Sequence, residues 1–522
     1  MNPELARFDE VITGLTAKGQ AFEVNTVQLD GVEYLNFATL PANLGQYFLV
    51  MLQHAQKDFA VYLDERYTFA QGYQHSCEFG AALVQRYGLA KGERVAILSR
   101  NNPQWLMAFI GITSVGGVAV PMNAWWTTEE LDYGFADSGA KIVVADRARV
   151  ERLVPIIKKH DLQIISIDDC SGLDVEHTPF AQLLQQFAGA SMPEAQVNLE
   201  DHATIMYTSG STGHPKGALS SHRGVLSALY SWMCLGVATK VAGTQEARAE
   251  GLPPAALVTI PLFHCTASHS AFMLSLVVGR KMVIMHKWDA QEALRLIEQE
   301  RITWFNGVPT MSMELQAAAE TTHRDISSLN EIMAGGAARP PDQVKKISGT
   351  FKKSAPGIGY GLTETNALGT VNAGAFYIAR PDSAGRVVPA VTEFRIVGED
   401  GSVLPAGERG ELCIKSPANI LGQQSALMSP ANGVVTSSRK LLTTWMRWYP
   451  SGTEKRFMAK QNPSLRASRS TFSQRRRTAH WSLNPCRCQN VCNDACEPLK
   501  TLRSSGRSTF PKYRGKRYEP WL

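Results

Sequence analysis

Short, almost wholly apolar runs alternate with amphipathic stretches of ten to fifteen residues along most of this chain. Arg94-Val95-Ala96-Ile97-Leu98-Ser99 is one such run, bounded by turn formers, and predicts a buried strand. Before it, Tyr67-Thr68-Phe69-Ala70 leads into a helical pattern through Ala82, Leu83 and Tyr87, which Gly88 and Gly92 punctuate. After it come a helix near 103–114, a strand near 117–121, and strands at 140–145 and 164–167. Thr127-Thr128-Glu129-Glu130 has the spacing of a capping box and opens a further helix. Residues 222–235 read as a helix, 255–261 as a strand, 270–278 as a helix and 281–285 as a strand. Asp289 opens an amphipathic helix through Leu294, Ile297 and Ile302, and Ile332-Met333-Ala334 is a strand run entering Gly335-Gly336-Ala337-Ala338. Strands separated by helices of this length mean βαβ units and mainly parallel sheets, an α/β fold. From residue 384 the pattern turns β-rich, with runs at 392–397 and 410–415 around a turn at Glu399-Asp400-Gly401.

The uncharged run 105–122 is long enough to suggest a membrane span. Gly111, Gly116, Gly117 and Pro121 interrupt it, so a buried helix running into a buried strand is expected instead. Residues 1–15 carry Glu4, Asp9 and Glu10 and no apolar core of a signal peptide, which makes the cytoplasm the expected compartment.

Past Asn432-Gly433 the periodicity fails, and composition now changes the picture. Residues 431–522 hold 19 Lys and Arg against 4 Asp and Glu, a net +15; the other 430 residues hold 34 against 43, a net −9. Cys77, Cys170, Cys234, Cys265 and Cys413 are scattered, whereas Cys486, Cys488, Cys492 and Cys496 cluster. The spacing C-x-C-x₃-C-x₃-C is not that of a zinc finger. Residues 434–522 are expected to bury too little apolar surface to offset ordering entropy, and so to be disordered. Their positive charge would attract nucleic acid without specificity.

The stretch with the densest candidate chemistry is Tyr207-Thr208-Ser209-Gly210-Ser211-Thr212-Gly213-His214-Pro215-Lys216-Gly217-Ala218, which follows the strand-like run 203–206. Glycines let the backbone turn its N–H groups toward a ligand, and hydroxyls and a lysine add donors and charge. This is the composition of a phosphate grip. It is not a Walker A loop, because Pro215 precedes Lys216 and Gly217 follows it. A second compact polar turn is Gly357-Ile358-Gly359-Tyr360-Gly361-Leu362-Thr363-Glu364-Thr365. Glu364 offers a carboxylate of the kind Mg²⁺ takes together with phosphates, and Tyr360 an aromatic face for a base. Gly335-Gly336 lets an extended ligand lie against the backbone.

In this order the two stretches resemble the signatures of the adenylate-forming superfamily, which includes acyl-CoA synthetases, luciferase-like enzymes and peptide-synthetase adenylation domains. The resemblance covers roughly residues 40–433 and extends to Phe263-His264, Gly385-Arg386-Val387-Val388-Pro389 and Gly407-Glu408-Arg409-Gly410-Glu411-Leu412. Met122-Asn123-Ala124-Trp125-Trp126 with Glu129-Glu130-Leu131 looks more like fatty- or aryl-acyl-CoA synthetases than amino-acid-activating domains. The resemblance implies a large domain of two mainly parallel sheets flanked by helices, a β-rich barrel-like subdomain, and the substrates ATP, Mg²⁺, CoA and a carboxylic, fatty acid. It implies that Thr208, Ser209, Gly210, Ser211, Thr212, Gly213 and Lys216 hold the phosphates. Thr208 and Glu364 would hold the metal, Thr363 the α-phosphate, Tyr360 and Gly361 the adenine. Gly335, Gly336 and Ala337 would border nucleotide and acyl pockets, with His264 near the carboxylate. Small molecules are the implied partners, without specific nucleic acid or a membrane span; a homodimer and peripheral membrane contact are compatible with it.

The resemblance stops after residue 433. Val434-Val435-Thr436-Ser437-Ser438 stands where the family has Thr-Gly-Asp, whose aspartate holds the ribose hydroxyls, and no hinge or small C-terminal domain follows. Pro511-Lys512-Tyr513-Arg514-Gly515-Lys516 is one residue short of the family's terminal lysine motif. Residues 434–522 read as an out-of-frame translation: Trp445-Met446-Arg447, read two bases on, gives Asp then Ala or Glu, close to the Asp-Glu common there. The reading is therefore an acid-activating domain, 1–433, followed by an unrelated tail that impairs it; the alternatives are a noncatalytic ATP- or acyl-binding remnant and an amino-acid adenylation domain.

Overall fold

The structure, a computed structural model, describes residues 3–208, 214–243, 251–423 and 443–444. Two large sheets carry the chain. The first has the order Gly422–Gln423, Lys216–Ser221, His202–Thr208, Val118–Pro121, Arg94–Leu98, Ile142–Ala145, Gln163–Ser166, His177–Pro179. Its strands are parallel from His202–Thr208 onward, and the two at the other edge are antiparallel. The second has the order Arg386–Val387, Gly369–Ala373, Ala355–Gly361, Glu331–Ala334, Trp304–Gly307, Ala255–Val258, Lys281–Ile284, Asp58–Tyr62, Glu65–Thr68. Its six central strands are parallel, with antiparallel strands at both edges.

Strand periodicity of two sorts the side chains into layers. Val95 and Ile97 of the first sheet, and Ala256, Val258, Met282 and Ile284 of the second, face one shared layer of helices, Phe69–Gln85, Pro103–Ser114 and His222–Val241. Ala96 and Leu98 face away, onto Leu131, Phe135 and Val150. Leu257 and Val283 face away on the other side, onto Leu294, Ile297 and Leu315. The result is helix–sheet–helix–sheet–helix, with the core of the middle layer packed between the two sheets.

That placement explains the uncharged run 105–122. It is the helix Pro103–Ser114 followed by the strand Val118–Pro121, both in the core. Trp105 stacks on Phe109 at 5.4 Å and meets Phe272 edge-on at 6.3 Å, and all three rings are fully buried. Truncating any of them to alanine costs about 3–5 kcal/mol. Gly111 lets this helix approach its neighbour: a Cβ there would come within 2.9 Å of the Ser76 carbonyl oxygen. Among the described residues one helix, His222–Val241, is long and apolar enough to cross a membrane, and half of its most apolar stretch is buried in the protein.

The capping box is in place: Thr127 Oγ1 accepts from Glu130 N at 3.3 Å and the Glu130 carboxylate from Thr127 N at 2.8 Å, opening the helix Thr128–Ser138. Two departures from the pattern stand out. Residues 24–37 form a hairpin, Val24–Leu29 against Val32–Phe37, turning at Asp30 and Gly31, both with positive φ. The β-rich region is divided: Arg386–Val387 extends the second sheet, while Glu411–Lys415 pairs with Glu393–Val397 on one side and Thr443–Thr444 on the other. Apart from those two threonines, the expectations for residues 434–522 fall outside the described residues.

Candidate active site

The glycine-rich stretch begins and ends in two paired strands. His202–Thr208 and Lys216–Ser221 are antiparallel neighbours with Thr208 opposite Lys216, so Thr208, Lys216 and Gly217 lie in strands, not in the loop. Ser209, Gly210, Ser211, Thr212 and Gly213 lie outside the described residues. Both arms are anchored on the helix Thr128–Ser138. Tyr207 Oη donates to Asp137 Oδ2 at 2.8 Å, and the His214 ring stacks on Tyr133 at 4.6 Å.

The second signature belongs to the other sheet. The strand Ala355–Gly361 runs past its parallel partner, whose last pairing is Ala334 with Ile358, and continues antiparallel to Gly369–Ala373. Tyr360 and Gly361 thus close a strand, and only Thr363–Thr365 is a turn. Tyr360 Oη finds no hydrogen-bond partner among the described residues, and burial, then the Glu364 charge, raises its pKa. Glu364 is 4% exposed. Burial raises its carboxyl pKa, while the Lys216 ammonium acts in the opposite direction. The strand His202–Thr208 packs against the turn Thr363–Thr365, which brings the two signatures from different sheets to one place.

Asn366, in the left-handed region at φ 52°, locks that junction. Its Oδ1 is 3.1 Å from Ser220 Oγ and 3.0 Å from His269 Nε2, and its Nδ2 donates to the Ala418 carbonyl at 2.8 Å. Ser220 is on the strand that begins with Lys216, and Ile420, two residues past Ala418, donates its N–H to the Glu364 carbonyl at 2.9 Å. His269 is buried, and burial lowers its pKa to about 4, so the ring is neutral.

A third segment follows the strand Ala255–Val258. Asn101, from the loop after Arg94–Leu98, clamps it: Leu262 N donates to Asn101 Oδ1 at 2.8 Å and Asn101 Nδ2 to the Ile260 carbonyl at 2.9 Å. Phe263 is buried and meets the exposed Trp125 edge-on at 5.3 Å. His264 is exposed, yet the surrounding protein mass lowers its pKa to about 4, which leaves the ring neutral. Cys265 Sγ is 3.8 Å from Thr363 Oγ1, and burial pushes the thiol up to about 11. A Cβ on Gly335 would lie 3.4 Å from the Gly359 carbonyl and 3.8 Å from Thr266 Cγ2. Gly336 follows with φ +76°, and Gly336 and Ala337 are exposed.

His264, Gly335, Gly336, Ala337, Tyr360, Gly361, Thr363, Glu364, Thr208 and Lys216 therefore sit at the carboxyl ends of parallel strands or on the hairpin beside them. Open α/β sheets bind ligands at this edge. Among the described residues no three His, Cys, Asp or Glu side chains group to ligate a metal. A single buried carboxylate beside hydroxyls fits Mg²⁺, which keeps its waters and shares phosphate oxygens. Asn101, His269 and Asn366 escaped the sequence reading. Each is a buried polar residue whose importance lies in partners far along the chain.

Residues 50–422 match the family described as "AMP-binding enzyme". The chain is 30% identical over 330 residues to a feruloyl-CoA synthase of an Amycolatopsis species, covering 63% of this chain and 61% of that protein. It is 30% identical over 355 residues to the long-chain-fatty-acid–CoA ligase FadD13 of Mycobacterium tuberculosis, covering 68% and 65%. The chain spans less than two thirds of the length of these relatives. Among solved structures, the inhibitor-bound N-terminal domain of FACL13 from Mycobacterium tuberculosis superposes with a TM-score of 0.61 at 27% identity, covering 74% of this chain and 91% of that one. The two signatures, brought together from separate sheets within a match that takes in most of the chain, make this protein a member of the AMP-binding enzyme family.

Proposed function

We propose that residues 1–433 activate a carboxylic acid with ATP and pass it to CoA. The acid's carboxylate oxygen attacks the α-phosphorus, and pyrophosphate leaves with the bridging oxygen. The CoA thiolate then attacks the acyl carbon, forming the thioester and releasing AMP. Such chemistry asks for charge neutralisation and in-line positioning more than covalent help. The observation that carries the reading is the packing of the strand His202–Thr208, whose Thr208 pairs with Lys216, against the turn Thr363–Thr365 that holds Glu364.

Thr208, Lys216 and residues 209–213 hold the β- and γ-phosphates until pyrophosphate leaves. Glu364 and Thr208 hold Mg²⁺, which supplies positive charge to the phosphate oxygens. Tyr360 and Gly361 take one face of adenine, Gly335, Gly336 and Ala337 border it, and Thr363 donates to the α-phosphate. Neutral His264 stands beside the acid without attracting a second anion. Trp125 and Phe263 form an apolar rim, which supports a medium or long acyl chain. The names of the relatives leave aryl acids as the competing class.

Residues 434–522 carry no Thr-Gly-Asp, so turnover is slow in this reading. The same break supports the second reading, a noncatalytic nucleotide- or acyl-binding remnant. Pyrophosphate release with ATP, Mg²⁺ and a panel of fatty and cinnamic acids separates the two. Acid-dependent release upholds the first; nucleotide binding without release for any acid leaves the second.

A further inference from the structure

Behind the turn at Gly335 and Gly336 the chain buries a guanidinium. Arg339 is 4% exposed and sits among the helices Pro309–Ala319, Pro341–Thr350 and Gly374–Ala379. Its Nη2 donates to Ser312 Oγ at a long 3.4 Å. Its Nε and Nη1 have no acceptor among the described residues. Among the described residues no carboxylate acts on it: burial lowers its pKa, and Tyr377 opposes this. The Tyr377 ring lies 5.9 Å from the guanidinium carbon, at the edge of cation–π range.

Two further polar atoms in this corner are buried and without a partner among the described residues, Tyr377 Oη and Gln343 Oε1, on residues 1% and 5% exposed. The other end of the Gln343 amide is used, Nε2 donating to the Pro309 carbonyl at 2.9 Å. Gln343 and Pro340 also line a surface cavity of about 480 Å³ between the helices Pro309–Ala319 and Pro341–Thr350, whose wall includes Lys346, Glu320 and Asp342. Gln343 thus borders both the buried corner and this open cavity.

A buried cation without a counter-ion is strongly unfavourable unless something supplies negative charge and acceptors. A tyrosine face and one long hydrogen bond do not. We propose that Arg339, with Tyr377 and Ser312 as neutral donors, forms a site for a small oxyanion, a carboxylate or phosphate group. The oxyanion comes either from a free ion or from the far end of a substrate that bears a second acidic group. The group it needs is planar or tetrahedral, with oxygens for the two open guanidinium nitrogens and for the Tyr377 hydroxyl.

The test is direct binding to the full chain by calorimetry and thermal unfolding, at matched ionic strength in chloride. The probes are inorganic phosphate, a linear monocarboxylate and the dicarboxylate of the same length. Neither readout needs turnover, so the proposal stands or falls apart from the adenylation reading. Wild type is expected to bind at least one probe and to gain melting temperature. Phosphate binding identifies a free ion, and dicarboxylate preferred over monocarboxylate identifies a substrate's second acid group. Arg339→Met should weaken that binding roughly tenfold or more and melt no lower than wild type in chloride, because it removes an uncompensated charge. Arg339→Lys should keep part of the binding. Tyr377→Phe removes one donor only, so it reads the site even where Arg339→Met fails to fold, and should weaken binding severalfold. Wild type that binds no probe, or equal binding by wild type, Arg339→Met and Tyr377→Phe, overturns the proposal.

Discussion

The Nε2 of His269 lies 3.0 Å from the Oδ1 of Asn366, two residues past Glu364. The same oxygen takes Ser220, from the strand that starts at Lys216, so one amide ties both signatures together. Asn366→Ala strands His269, Ser220 and the Ala418 carbonyl and places a Cβ residue without a local hydrogen bond in the left-handed region. A loss of about 3 kcal/mol or more is expected in denaturant unfolding. Asn366→Gly loses the same bonds without the backbone strain, and should recover about 1 kcal/mol. Equal stability of the glycine and alanine variants would contradict the left-handed assignment.

Burial keeps both His222 and His269 neutral, each with its pKa lowered to about 4. The unfolded chain binds a proton at each near pH 6.5 while the folded chain does not. Stability from these groups is therefore complete above pH 6.5 and falls as pH drops toward 4. At pH 5 the loss is about 2 kcal/mol per histidine. Unfolding at pH 7 and pH 5 should show it, and His269→Gln should flatten the slope by one histidine's share.

Asn101 joins the first sheet to the segment before His264 through two buried backbone hydrogen bonds. Asn101→Ala leaves both groups unpaired and should cost about 2 kcal/mol or more. Asn101→Asp keeps the acceptor for Leu262 N but offers no donor to the Ile260 carbonyl, so it should not restore wild-type stability. Chemical denaturation of the three proteins reads the difference.

Much of this architecture was legible in the chain. Arg94–Leu98 and Pro103–Ser114 read correctly because a fully buried strand or helix is an apolar run with sharp turn signals at its ends. Thr127 and Asp289 marked helix starts because capping is local chemistry. The hairpin Val24–Leu29 and Val32–Phe37 was missed because its faces are half polar, although Asp30-Gly31 is a turn signal. The glycine-rich signature read as one loop, yet its ends are strands, because sheet pairing overrides the loop preference of Thr208 and Gly217. Asn366, Asn101 and Arg339 could not be read. Nothing local distinguishes a buried polar side chain from an exposed one when its partners come from other elements, 27 residues away for Arg339 and Ser312 and 161 for Asn101 and Leu262.

Lys216 lowers the pKa that burial raises at Glu364. Lys216→Met should therefore raise the Glu364 pKa further and move the acid limb of Mg²⁺–ATP binding to higher pH. Binding titrated from pH 5 to 8 reads this shift; an unmoved acid limb removes the electrostatic link between the two sheets.

In the proposed function Lys216 and Glu364 form one adenylating site. Acid-dependent exchange of labelled pyrophosphate into ATP measures the first half-reaction without CoA. The account predicts exchange in the wild-type chain with a fatty acid, reduced about a hundredfold or more in both Lys216→Ala and Glu364→Gln, with melting temperatures near wild type. Wild-type exchange that survives unchanged in folded Glu364→Gln would contradict it.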